Sequence, residues 1–261
     1  RAESQSRPYS HRIDVATAPH RRHERAERAN YEGRTYELLR NSARRQLGGW
    51  RERRKRDRGN RLAIYHLSMK PVSRAGGRSA VASMAYRAGE KLTNERDGIT
   101  HDYTAKQGVE HAEIVLPEGV NADWARDRSD LWNAAEFAEK RKDARVAREF
   151  EVALPHELSA EERLEATREL AQELANRYGA AVDFAIHAPH GESDVRNHHA
   201  HVMMTTRRVG EDGLGEKTYI ERENKWLLSN DLPTTDMQLR DIRQSWEVIA
   251  NEHLARAGLD I

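Results

Sequence analysis

Residues 181–189 read AVDFAIHAP and residues 198–208 read HHAHVMMTTRR, with the polar run HGESDVRN between them. The two apolar runs read as successive strands and the polar run as the loop that joins them. Alternate side chains of a strand share one face, so His199 and His201 point the same way. If the strands pair as a hairpin, His187 lies opposite them and three imidazoles converge. His198 then points to the other face, and His190 sits in the loop. The chain has 13 histidines and no cysteine, which excludes disulfides and thiolate metal sites. A metal here must be held by histidine and carboxylate. Three neutral imidazoles on a rigid sheet make a facial site with open positions for water or substrate. The alternative is that they only satisfy local hydrogen bonds. The strand AREFEVALP (147–155) carries Glu149 and Glu151 on one face, where either would accept the second ring N–H of a ligand histidine. A solvated strand face is the competing role for these two carboxylates.

Working outward, LAIYHLSM (62–69) alternates and reads as a first strand, followed by the glycine-containing loop KPVSRAGGRS. SAVASMAYRAGEKL (79–92) starts at a serine cap and meets no breaker until Gly89, which predicts a helix carrying Tyr86. AEIVLP (112–117) is a strand ended by proline. NADWARDRSDLWNAAEFAEKRKDA (121–144) is expected to be helical, with Trp124, Leu131, Ala135 and Ala138 near helical spacing. SAEERLEATRELAQELANRYG (159–179) is an amphipathic helix with acidic residues in its first turn and Gly179 just past its end. A last helix spans about Asp236 to Ala257, with Ile242, Trp246, Ile249 and Leu254 along one stripe. Strands and helices mix without regular βαβ alternation. The fold expected is therefore α/β of the α+β kind, not a doubly wound sheet.

The net charge of +1 conceals a split, because residues 1–61 sum to +10 and residues 62–261 to −9. The first part has few apolar residues and basic runs such as RERRKRDR (51–58). It reads as a basic, largely disordered arm with a short helix around TYELLRNSARRQL, in front of one globular domain at 62–261. Its role is either to hold phosphates or none at all. No run approaches the roughly 18 apolar residues of a membrane helix, and the first residues carry no secretion pattern. No membrane insertion and a cytoplasmic location are expected.

The blocks AIYHLSMKPVSRAGGRSAVASMAYRAGEKL (63–92), REFEVALPHEL (148–158) and AIHAPHGESDVRNHHAHVMMTTR (185–207), in this order, resemble the MobA/MobL family of bacterial plasmid mobilisation relaxases, of the HUH endonuclease group. The resemblance implies a palm-like central antiparallel sheet with helices packed on one side and the histidine hairpin in its middle. It also implies a site- and strand-specific nickase that acts on single-stranded DNA at an origin of transfer through a covalent 5′-phosphotyrosine. Tyr86 is the nucleophile by motif position, with Tyr65 and Tyr103 as competitors. Glu149 and Glu151 join it as catalytic carboxylates. A divalent ion, magnesium or manganese, is implied, although imidazole ligands would also take zinc, cobalt or nickel. Arg74, Arg78, Arg87, Arg207 and Arg208 flank the two site motifs and are read as phosphate contacts, each with solvated surface as its alternative. Accessory relaxosome proteins and a type IV secretion coupling protein are the further partners implied.

Two departures from the family pattern stand out. Leu62 holds a place where relatives commonly begin with Met, which raises the expectation that residues 1–61 are upstream translation. The chain stops at ARAGLDI, where relatives continue into further domains. Two other classes of function stay open at this level. One is a histidine-ligated metal hydrolase of a small substrate, indifferent to Tyr86. The other is a noncatalytic DNA-binding module.

Overall fold

The computed structural model describes residues 66–189 and 195–259. The basic arm, Tyr65 and His190 lie outside these residues, as does all but the last four residues of the strand expected at 62–69. The first described strand of the sheet, β1, runs Leu67–Ser73 and so continues four residues past the end of the strand expected at 62–69. It is followed by a helix α1 (Ala80–Ala88), a short hairpin of β2 (Lys91–Asn94) and β3 (Ile99–Asp102), and β4 (Val109–Val115). Then come α2 (Arg128–Ala138), β5 (Arg145–Ala153), α3 (Ala160–Tyr178), β6 (Ala180–His187), β7 (His199–Gly210) and β8 (Gly213–Lys217). A short α4 (Asn224–Ser229) and the long α5 (Thr235–Arg256) complete the described chain.

The sheet order is β1-β5-β7-β6-β4, with β8 paired to β7, and all pairings are antiparallel. β6 and β7 are thus interior strands, and the histidine hairpin lies at the centre as expected. The helices do not keep to one side. One face packs Phe150, Val182, Phe184 and Val202 against Leu170 and Leu174 of α3 and Trp246 of α5. The other packs Ala181, Ala185 and Met203 against Met84 of α1 and Leu131 and Trp132 of α2. Every residue of β6 is buried, because it is covered on both faces. The sequence AVDFAI shows this as a run without polar alternation, the pattern of a strand with no wet side. Its small residues Ala181 and Ala185 face α1 and α2, and its large ones face α3.

Local chemistry sets the helix ends. Ser79 accepts from the Ala82 amide and starts α1, and Gly89 ends it in the left-handed region at φ 67°. A side chain there would meet Val109 Cγ2 at 3.3 Å as well as backbone strain, so α1 stops four residues short of the stretch that reads as helical. The helix expected over 121–144 is likewise shorter, since Asp127 caps α2 by accepting from the Asp130 amide and a separate 3₁₀ turn, Asp123–Arg126, precedes it. α3 carries the capping box of Ser159 and Glu162 and ends at Gly179.

α2 is tied to β6 by a buried charge. Asp183, 0% exposed, accepts from Arg128 at 2.8 and 2.9 Å and from Trp132 Nε1 at 2.9 Å. Burial pushes the Asp183 carboxyl up, and Arg128 and Trp132 pull it back. Removing one partner of such a pair strands the other away from water. Asp183→Ala should therefore cost about 3–5 kcal/mol, and chemical denaturation will read it. A loss under about 1 kcal/mol would mean that Glu90, the other carboxylate bonded to Arg128, holds it without Asp183.

Candidate metal and nucleophile site

β6 and β7 pair so that His187 stands directly opposite His199, with His201 two residues on along the same face. The three rings come together with centroids 5.0–5.3 Å apart. One nitrogen from each lies within 4.8 Å of the other two. Each ring also makes one hydrogen bond to a nearby acceptor. His187 Nε2 donates to the Arg87 carbonyl at 2.7 Å, His199 Nδ1 to the Asn197 carbonyl at 3.1 Å, and His201 Nδ1 to the Glu149 carboxylate at 2.8 Å. Each bond fixes a tautomer and leaves a lone pair on the other nitrogen of the ring. Three imidazoles, each donating a ring N–H to a carbonyl or carboxylate, are the donor set a divalent ion takes. The chemistry of the site fits such an ion. His198 points away, and its nearest charged neighbours are Arg163 and Glu110.

His187 is buried, and that burial pushes its pKa down to about 4. It is therefore neutral at pH 7, as a ligand must be. The linkage has a definite sign. The unfolded chain takes a proton at this position near pH 6.5 and the folded chain only near 4, so stability is full above 6.5 and falls as pH drops through that window. The loss attributable to His187 is on the order of 3 kcal/mol. Urea unfolding at pH 7 and pH 4.5 should differ in this direction, and His187→Gln should flatten the difference.

Glu149 is nearly fully buried and accepts from both His201 and Arg87, the latter at 2.6 Å. Burial opposes its ionisation, but the hydrogen bonds from His201 and Arg87 prevail and hold it at about 2. It stays an acceptor across the working pH range, suited to orienting His201 and unsuited to taking a proton. Glu151 lies directly across from His201 in the β5–β7 register, yet its carboxylate bonds Lys70 at 2.9 Å at a half-open position. Cross-strand register alone would have picked Glu151 as the partner of His201. The side chains settle on Glu149, one pair further along the same face.

Tyr86 lies one residue before Arg87 on α1, with 48% of its surface exposed. Its ring meets that of Tyr103 edge-on at 5.2 Å, and the Lys106 ammonium sits 3.9 Å from its centroid. Lys106 also donates to the Tyr86 carbonyl at 2.8 Å and comes within 3.5 Å of His187 Nε2. Burial, with Arg87 nearby, pushes the Lys106 pKa down to about 8. A helix leaves its last carbonyls without intrahelical partners. In α1 the Ala85 carbonyl takes the amides of Gly89 and Glu90, that of Tyr86 takes Lys106, and that of Arg87 takes His187. The C-terminal end of α1 is thus docked on the histidine cluster through its own orphan acceptors. Sequence reasoning missed Lys106, and the only signal for it was its place in the turn TAKQG after a strand that also went unread.

The flanking arginines separate into different positions. Arg78 is exposed. Arg87 is half-buried and bonded to Glu149 and to the Ser83 carbonyl at 2.7 Å, so it supports the site from within. Arg74 cannot serve as a phosphate contact. All five of its N–H groups are used, two on the Glu136 carboxylate and the others on the carbonyls of Glu136, Glu139 and Arg141, and its side chain is buried. The same Glu136 carboxylate accepts from the Ala80 amide at 2.6 Å, so Arg74 holds the start of α1. Arg207 and Arg208 lie away from the histidines. At ~3.3 Å per residue they lie roughly 20 Å along β7 from His201. Arg207 is bonded to Glu139 at 2.8 Å, and Arg208 packs against Gly179. Nearness in sequence is distance when the chain is extended.

A twisted antiparallel sheet with three histidines converging from its two central strands, beside a helix that presents an exposed tyrosine, defines the class: a mixed α/β protein with a histidine site able to hold one metal ion. The MobA/MobL family model matches residues 78–261, and the chain belongs to that family. Mobilization protein MobL of Acidithiobacillus ferridurans is 44% identical over 178 residues, covering 60% of this chain and 46% of that protein. Conjugal transfer protein TraA of Rhizobium radiobacter is 36% identical over 220 residues, covering 77% of this chain and 19% of that protein. The chain thus spans about half or less of the length of these relatives. A solved structure described as "Molecular Basis of Vancomycin Resistance Transfer in Staphylococcus aureus" matches with a TM-score of 0.64 and 32% identity, over 76% of this chain and 96% of that one. Among the described residues, no helix is long and apolar enough to cross a membrane.

Proposed function

We propose that this chain is a relaxase domain that nicks and rejoins single-stranded DNA at a plasmid origin of transfer. The observation that carries the reading is an exposed tyrosine on a helix whose Arg87 carbonyl is bonded to His187 of a metal-competent histidine cluster. The Tyr86 phenol oxygen attacks the scissile phosphorus, a P–O bond forms, and the P–O3′ bond breaks. The phenol gives up its proton and the departing 3′ oxygen gains one, so one phosphodiester is exchanged for another. The DNA 5′ end stays on Tyr86, and attack by a 3′-OH reverses the step without ATP.

His187, His199 and His201 would hold a divalent ion, magnesium or manganese, which when bound polarises a phosphate oxygen and offsets developing negative charge. Glu149 fixes the tautomer of His201, and Arg87 holds Glu149 in place. Arg78 is left for contacts with the strand, and Glu151, bonded to Lys70, has no catalytic role in this reading. The origin of transfer, accessory relaxosome proteins and a secretion coupling protein are the partners this reading implies.

The test is to incubate the protein with a pool of random-sequence single-stranded DNA and manganese, then resolve it on a denaturing gel. A heat- and SDS-stable protein–DNA adduct is expected, and sequencing the trapped DNA would identify the nicked site. DNA binding with metal bound but no adduct would sink the reading and leave a binding module.

A further inference from the structure

Lys106 lies outside the three sequence blocks that carry the family resemblance, yet it touches both Tyr86 and His187. The turn after β3 brings it there. The Tyr103 amide bonds the Glu90 carbonyl at 3.1 Å and the Lys106 amide bonds the Tyr103 carbonyl at 2.9 Å, so the turn is fastened to the chain just beyond α1. From this turn two side chains reach back over the helix end. The Tyr103 ring meets the Tyr86 ring edge-on at 5.2 Å, and the Lys106 ammonium lies 3.9 Å from the Tyr86 centroid while donating to the Tyr86 carbonyl at 2.8 Å. Tyr86 is therefore held twice by Lys106, at its backbone and at its ring, and once by Tyr103.

We infer that Lys106, seated by the turn after β3, is a positioning residue for the Tyr86 nucleophile: its ammonium pins the phenol ring and strengthens its hold as the phenol oxygen becomes anionic. The inference rests on the relaxase reading given above. An exposed tyrosine side chain samples several rotamers, and a nucleophile must sit in one of them when the phosphate arrives. The edge contact with Tyr103 and the face contact with Lys106 restrict that choice. A cation over an aromatic face is attracted by the ring's negative quadrupole. As negative charge develops on the phenol oxygen that attraction grows, so Lys106 stabilises the attacking state more than the resting one. A lysine that only satisfied an orphan carbonyl of α1 would have no reason to lie across the ring of the same residue.

Two readouts on the intact chain separate this role from simple support of the helix. The first is single-turnover adduct formation on the oligonucleotide recovered from the wild-type adduct, in manganese, with Kd for the same oligonucleotide measured beside it. Lys106→Met is expected to slow adduct formation by about 10–100-fold, the range of a reacting group displaced by an ångström or less. Kd should change by less than about twofold, since the charge acts on the ring more than on the strand. Lys106→Arg, which keeps a donor and a cation, should recover most of the rate. Equal rates for wild type and Lys106→Met overturn the inference, and so does a loss seen entirely in Kd. The second readout needs no turnover: 3-fluorotyrosine at position 86 should give one ordered fluorine resonance that shifts and broadens in Lys106→Met and returns in Lys106→Arg. A resonance indifferent to Lys106 overturns the inference. Should the wild-type chain form no adduct at all, the relaxase reading fails, and the fluorine signal still decides whether Lys106 holds the ring.

Discussion

Tyr86→Phe should abolish the covalent DNA adduct, a fall on the order of 10⁴–10⁶-fold, the range seen when a reaction loses its nucleophile. The fold should barely notice. Tyr86 is about half exposed, and phenylalanine keeps the ring that meets Tyr103 and lies under Lys106. Stability should stay within about 0.5 kcal/mol, as for surface substitutions generally. Metal content should be unchanged, because the phenol is not among the converging nitrogens. This combination of intact metal, intact stability and no adduct separates a tyrosine transesterase from a metal hydrolase, which would keep its activity. An undiminished adduct would move the nucleophile elsewhere. Tyr103, with its ring 5.2 Å away, is then the first position to test.

His199→Ala should lower affinity for manganese or zinc by more than about 100-fold, because losing a ligand costs at least as much as losing the group that orients one. Isothermal titration of the metal checks it directly. His199 is only half-buried, so the fold loses little core, and a drop in adduct yield with stability retained would be assigned to the site. Glu149→Ala is the graded companion. It removes the acceptor from His201 Nδ1 and frees Arg87, and metal affinity should fall by about 10–100-fold. Unchanged metal affinity in His199→Ala would sink the metal role of the cluster. The three imidazoles would then be a hydrogen-bonded feature of the hairpin.

Much of the core of this arrangement was readable without coordinates. The spacing of His199 and His201 in an extended run puts them on one face whatever the rest of the chain does, because a strand repeats every two residues. Pairing the two runs through a short loop then brings His187 opposite, as the register His187↔His199 shows. The cap Ser79 and the stop Gly179 were legible for the same reason: they act through bonds to residues within a turn. The placement of Tyr86 on a helix belongs to this group also.

What escaped the sequence depends on groups far apart in it. That the sheet is covered on both faces follows from α1 and α2 folding over β6, a packing choice that chain order leaves open. Arg74 reads like any surface arginine until Glu136, 62 residues away, is seen to take its guanidinium. Arg207 and Arg208 look close to the histidines in the text and are far from them in space. The choice of Glu149 over Glu151 is made by rotamers and by Arg87 arriving from another element. Lys106 reaches the site because a hairpin returns the chain to the end of α1. Local periodicity and capping are properties of a few neighbouring residues, so the sequence determined the central strands, the start of α1 and the shared face of the histidines. Which charge meets which partner is a property of the assembled surface, and only the tertiary structure decided it.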